Sequence, residues 1–167
     1  MRRALILCAV AAVALAGLPL AAQTGTWTAV ASTGVVDESA AGIYAFGSTN
    51  LGYNGAGSVA PIVARYNVTN TFGGGVSDTP AWNTLELGYF DASTLSTVRA
   101  DLFRVDPCNG SQVLLCTVTS ADFTAPTCGK CSFTAGINFA NFLYYVQVTV
   151  SRTSTAVSPQ AFTLRIF

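Results

Sequence analysis

FLYYVQVTVSR, residues 142–152, alternates. Phe142, Tyr144, Val146, Val148 and Val150 fall on one side of an extended chain, and Gln147, Thr149 and Ser151 on the other. Successive side chains of a strand point to opposite faces, so this pattern predicts a half-buried strand with one wet side. APIVARYNVTN, residues 60–70, repeats it, with Ile62, Ala64, Tyr66 and Val68 set against Val63, Arg65, Asn67 and Thr69. In AWNTLELGYFD, residues 81–91, Leu85, Leu87 and Tyr89 oppose Trp82, Thr84, Glu86 and Phe90.

Outward from these three, further strands are predicted at residues 24–32, 42–46, 96–106, 112–120, 131–136 and 160–167. Between them lie VVDES, GSTNLGYNGAGS, TFGGGVSDTP, DASTLS, PCNGS and TSTAVSP, each rich in residues that supply turn geometry. No helical period longer than a turn or two interrupts the series. Eight or nine short strands so spaced predict an all-β fold, an antiparallel two-sheet sandwich of Ig-like or jelly-roll-like type. An eight-stranded β-barrel is the alternative. Within the 106–111 connection, an Asn109-Gly110 hairpin tip would set Cys108 opposite Ser111 and Cys116 opposite Phe103.

The chain opens MRRALILCAVAAVALAGLPLAAQT: two arginines, an apolar run, a Gly17/Pro19 break and the small residues Ala21 and Ala22. This is the layout of a cleaved secretory signal over residues 1–22, leaving residues 23–167 as a single β-sandwich domain. A membrane anchor would need about 20 unbroken apolar residues, and no transmembrane segment is expected in the mature chain. Cys8 sits inside the apolar run and would leave with it. The protein is then secreted, whether periplasmic, at the cell surface or extracellular. Of eight basic and eight acidic residues, Arg2 and Arg3 leave with the signal, so the mature charge is −2. With Lys130 its only lysine, the mature chain lacks the cationic cluster that nucleic acid or an anionic membrane requires.

Cys108, Cys116, Cys128 and Cys131 remain. Zinc would want two close cysteine pairs, but only Cys128-Gly129-Lys130-Cys131 is close, and the chain has no histidine. A redox dithiol would want a helix after the motif, where SFTAGINFANFLYYVQVTV has turn and strand character. Four cysteines in an exported chain predict two disulfides. The local pairing, Cys108 with Cys116 and Cys128 with Cys131, is taken ahead of a crossed pairing that ties the hairpin to the 120–131 segment. The two-residue hairpin counts against the first of those bonds.

Without histidine, Ser-His-Asp and Cys-His catalysis is excluded. Carboxylates alone could serve a polysaccharide hydrolase, yet most of the eight acids sit in turns, where they cap backbone. Asp37 and Glu38 are adjacent, but no alternating acids of a calcium loop follow, so neither metal nor cofactor is expected. Trp27 and Trp82 are the aromatics placed to contact a ligand such as a glycan, if no other layer covers them. Asn67 and Asn109 stand in glycosylation acceptor triplets. The terminal Phe167 suits a small outer-membrane barrel, but Arg165 and Thr163 occupy its lipid-facing phase. The expectation is a non-enzymatic adhesive, structural or ligand-binding domain. TGTWTAVAS suggests a homo-oligomer or polymer built by strand exchange. The alternative is a carboxylate-dependent hydrolase or a carbohydrate-binding module.

Overall fold

A computed structural model describes residues 25–55, 57–70 and 78–167. The expected signal, residues 1–22, lies outside them. The described strands are β1 (Trp27–Val30), β2 (Val35–Val36), β3 (Tyr44–Phe46), β4 (Leu51–Tyr53), β5 (Ile62–Val68), β6 (Thr84–Asp91), β7 (Ser96–Val105), β8 (Gln112–Thr119), β9 (Phe123–Ser132), β10 (Leu143–Arg152) and β11 (Gln160–Ile166). All pair antiparallel. One sheet runs β3-β4-β11-β6-β9 with β1 also on β11, and the other runs β2-β5-β10-β7-β8. Most consecutive strands swap sheets, as in a jelly roll; β3–β4 and β7–β8 are the hairpins. The two sheets keep separate edges, so the barrel alternative does not hold.

The alternation read from the sequence is what packs the sandwich. Ile62 and Ala64 on β5, Leu85 and Leu87 on β6, Val146, Val148 and Val150 on β10, and Leu164 and Ile166 on β11 are fully buried between the sheets. β1 lies along residues 163–166 of β11 with Trp27 in the core. The segment suggested for strand exchange therefore completes its own chain's sheet.

Three strands depart from the expected map. β2 and β4 fall in stretches read as turns, and at two and three residues they are too short to show a period. β9 begins at Phe123, well before the expected 131–136 strand. It is an edge strand with most of its residues exposed, so backbone pairing to β6 holds it without an apolar stripe.

The β7–β8 hairpin is also wider than expected. Asp106 N–H donates to Ser111 O and Gly110 N–H to Asp106 O, closing a four-residue loop, and Val105 pairs with Gln112. A tight Asn-Gly turn needs positive φ at both residues, whereas only Gly110 has it, at 70°. The Asp106 carboxylate accepts from Cys108 N–H and starts the turn earlier. A register shift after Leu102 then sets Cys116 opposite Leu102, not Phe103.

That register decides the disulfide. Cys116 on β8 bonds Cys131 on β9, with Cα atoms 6.0 Å apart, and joins the edge of one sheet to the edge of the other. The bond is of the crossed kind, and the local pairing is not formed. Cys128 and Cys131, three apart on an extended strand, point to opposite faces. Cys108 and Cys128 are exposed free thiols. Cys108 lies at the hairpin tip, while Cys128 pairs with Gly88 near the far end of β8. Eight residues of β8 at about 3.3 Å each separate them by roughly 25 Å. One intrachain disulfide replaces the two expected.

Among the described residues every buried side-chain nitrogen and oxygen has a hydrogen-bond partner. Fully buried Asp91 accepts from Ser96 Oγ and Ser120 Oγ, both at 2.5 Å. Arg152 donates to Ser58 O and Val157 O and stacks 3.8 Å from the Tyr53 ring. The Tyr66 hydroxyl donates to Ala31 O at 2.6 Å, and burial pushes its pKa far up.

Closing a loop with a sequence separation of 15 restricts the unfolded chain by about 3 kcal/mol. Cys116→Ala with Cys131→Ala should therefore lower the thermal midpoint by about 6–12 °C in calorimetry. A non-reduced digest should yield the Cys116–Cys131 peptide pair, with Cys108 and Cys128 alkylated. The Tyr66 proton is held more tightly in the folded chain, so its stabilisation is complete below about pH 10 and is lost as pH rises past that value. Tyr66→Phe should flatten the alkaline fall of unfolding free energy in denaturant titrations.

Candidate functional sites on the two outer sheet faces

The residues singled out from sequence are mostly structural. Trp27 and Trp82 are 5% and 3% exposed. By sequence parity Trp82 falls on the wet face opposite Leu85. It precedes β6, its Nε1 donates to Gly25 O at 2.7 Å, and the Phe139 ring packs edge-on against it at 5.9 Å. Phe139 in turn packs edge-on against inward-facing Tyr144 at 5.2 Å, so Trp82 sits at the end of the core between the sheets, and both tryptophans are turned away from solvent.

The acids are dispersed. Asp37 caps Ser39 through both its N–H and hydroxyl and pairs with Arg65 at 3.3 Å. The Ser39 hydrogen bonds, then Arg65, hold the Asp37 carboxyl below the usual range. Asp91 and Asp106 bind hydroxyls and turn backbone, and Glu86 and Asp101 bind cations. Among the described residues no three His, Cys, Asp or Glu gather as a metal site.

The outer face of the five-stranded sheet has a different character. Phe103 on β7 and Tyr145 on β10 are directly opposed in register. Their rings stack at 5.0 Å with an interplanar angle of 18°. Both are partly exposed. The Tyr145 hydroxyl reaches across β7 to donate to Gln112 Oε1 on β8 at 2.7 Å. Desolvation raises its pKa, with Arg65 opposing and Asp101 reinforcing. Asn67 on β5 and Leu114 on β8 extend this row in register, and Leu114 is 47% exposed.

One row along lie Arg65, Gln147, Asp101 and Thr117. Arg99 and Thr117 both donate to Asp101 Oδ1, at 2.9 and 2.6 Å. An aromatic end thus adjoins an amide, hydroxyls and two self-neutralised ion pairs. Sequence carried the signal, since Tyr145 has the parity of Gln147 and Thr149, and Phe103 that of Arg99 and Asp101.

The six-stranded sheet's outer face is a trough beside a ridge. Val30, Thr163, Gly88 and Cys128 line up across β1, β11, β6 and β9. All are small or medium-sized, and a Cβ at Gly88 would strike Thr163 Oγ1. The parallel row is Thr28, Arg165, Glu86 and Lys130. At the β1 end a cavity of about 480 Å³ is walled by Thr28, Val30, Thr33, Thr163 and Arg165, and floored by Ala29 and Leu164.

No family model matches the chain, and no curated protein matches it. Solved structures share its sandwich outline at low identity. A family 6 carbohydrate-binding module is 10% identical with a TM-score of 0.49, over 83% of this chain and 90% of that one. CsCBM6-3 from Clostridium stercorarium, solved with cellobiose, is 11% identical with a TM-score of 0.48, also over 83% and 90%. The isomalto-dextranase of Arthrobacter globiformis T6, solved with panose, is 15% identical with a TM-score of 0.49, over 86% of this chain and 23% of that one. The likeness is of architecture alone.

Both tryptophans should fluoresce from the core, poorly quenched by iodide until the chain unfolds. Trp82→Ala should cost about 3–5 kcal/mol of stability, read by denaturant titration.

Proposed function

We propose that the protein is an exported, non-catalytic binding module that holds a neutral saccharide on the outer face of its five-stranded sheet. The partly exposed Phe103–Tyr145 stack carries this reading. Apolar and aromatic surface left at the solvent side of a sheet marks a contact site. A sugar presents a C–H face to such rings and hydroxyls to the amides of Asn67, Gln112 and Gln147. Arg65 with Asp37 and Arg99 with Asp101 pair off one to one, so a neutral ligand meets little uncompensated charge.

Binding rather than hydrolysis is supported by the acids. A glycosidase needs two carboxyls facing each other across a cleft, whereas Asp37, Glu86, Asp91, Asp101 and Asp106 each hold a local structural contact. Export is supported by Arg2, Arg3 and the apolar run after them, and by a disulfide suited to an oxidising compartment.

Affinity electrophoresis against neutral polysaccharides tests the site. Tyr145→Ala and Phe103→Ala should each weaken retention about tenfold, equivalent to ~1.4 kcal/mol, while Trp27→Phe leaves it unchanged. Retention of Tyr145→Ala at the wild-type level would falsify the assignment. N-terminal sequencing of the exported protein should begin at Gln23.

A further inference from the structure

The ridge on the six-stranded sheet carries charge that the other face lacks. Both carboxylate oxygens of Glu86 are occupied, Oε1 by Arg165 at 3.0 Å and Oε2 by Lys130 at 3.1 Å. The Glu86 side chain is only 10% exposed, while those of Arg165 and Lys130 are 48% and 56% exposed. Two wet cations therefore share one nearly dry anion, and a ligand approaching from solvent meets net positive charge. Among the described residues Arg165 finds a protein acceptor only through one terminal nitrogen, so its remaining N–H groups can serve a ligand.

The trough runs beside that ridge. At its β1 end the cavity of about 480 Å³ falls within the size of small-ligand sites. Its walls offer the hydroxyls of Thr28, Thr33 and Thr163 together with the Arg165 guanidinium. From β1 to β9 the row crosses three strand spacings, about 14 Å, which is room for a few sugar units.

We propose that this trough is a second ligand site and that it takes an acidic saccharide. The carboxylates would lie on Arg165 and Lys130, the former suited to bidentate recognition, and the sugar hydroxyls on the threonines. The site does not depend on the five-stranded face.

The two free thiols supply the measurement. Cys128 lies in the trough row, and Cys108 is remote at the hairpin tip. Iodoacetamide labelling of both, followed by mass spectrometry, would be run with trigalacturonate, with maltotriose and with sulfate. Trigalacturonate should slow Cys128 alkylation several-fold, leave Cys108 unchanged and lose its effect at high salt. Tyr145→Ala should keep this footprint, and Arg165→Gln should abolish it. Absence of Cys128 protection by trigalacturonate, or equal protection by maltotriose, overturns the proposal. Equal protection by sulfate reduces the site to a simple anion patch and also overturns it. If Arg165→Gln does not fold, the wild-type footprint decides.

Discussion

Two sheets close on each other because the middle of each turns an apolar face inward. Val146, Val148 and Val150 on β10 oppose Leu85, Leu87 and Leu164 on β6 and β11, all without contact with water. Burying such side chains is worth about 1.5–3 kcal/mol each, and a one-residue slip would carry the whole set to the wet side. This constraint sets the direction of every other side chain. The outer faces are whatever the inward set leaves over.

The rim of the sandwich is held by other means. Sheet edges and turns bury too little apolar surface to hold themselves, and polar clamps stand there instead. Cys116–Cys131 ties β8 to β9, Asp91 gathers Ser96 and Ser120 at the β6–β7 turn, and Arg152 pins the 58 and 157 segments. Each joins parts of the chain that the central packing leaves apart. The long β9 edge is guarded by Pro126, which lacks an N–H, and by the charged Lys130.

The outer faces diverge in chemistry through pairing of charge. On the outer face of the five-stranded sheet Arg65 and Arg99 each have their own carboxylate, so the charges there pair off one to one. On the six-stranded sheet Glu86 is shared, and positive charge is left over beside a trough of small residues. One scaffold thus presents two outer surfaces of different chemistry.

Much of the fold was legible in local alternation. β5, β6, β7, β8, β10 and β11 each announce themselves, because a strand packed on one side must repeat every second residue. The signals for Phe103 and Tyr145 were present too, as parity with Arg99, Asp101 and Gln147. What alternation cannot express is the distance between strands remote in sequence. Strands as short as β2 and β4 exist only because a neighbour accepts their backbone bonds, and β9 has pairing without pattern. The cover over Trp82 comes from a segment more than fifty residues away. By itself, then, the sequence determined an antiparallel sandwich and the inward side of its main strands, since that information is written in period and composition. Tertiary structure alone decided that Cys116 meets Cys131, that the tryptophans lie inside and that Arg165 and Lys130 share Glu86. Each of these depends on cross-strand register and turn width, which are set when the sheets come together.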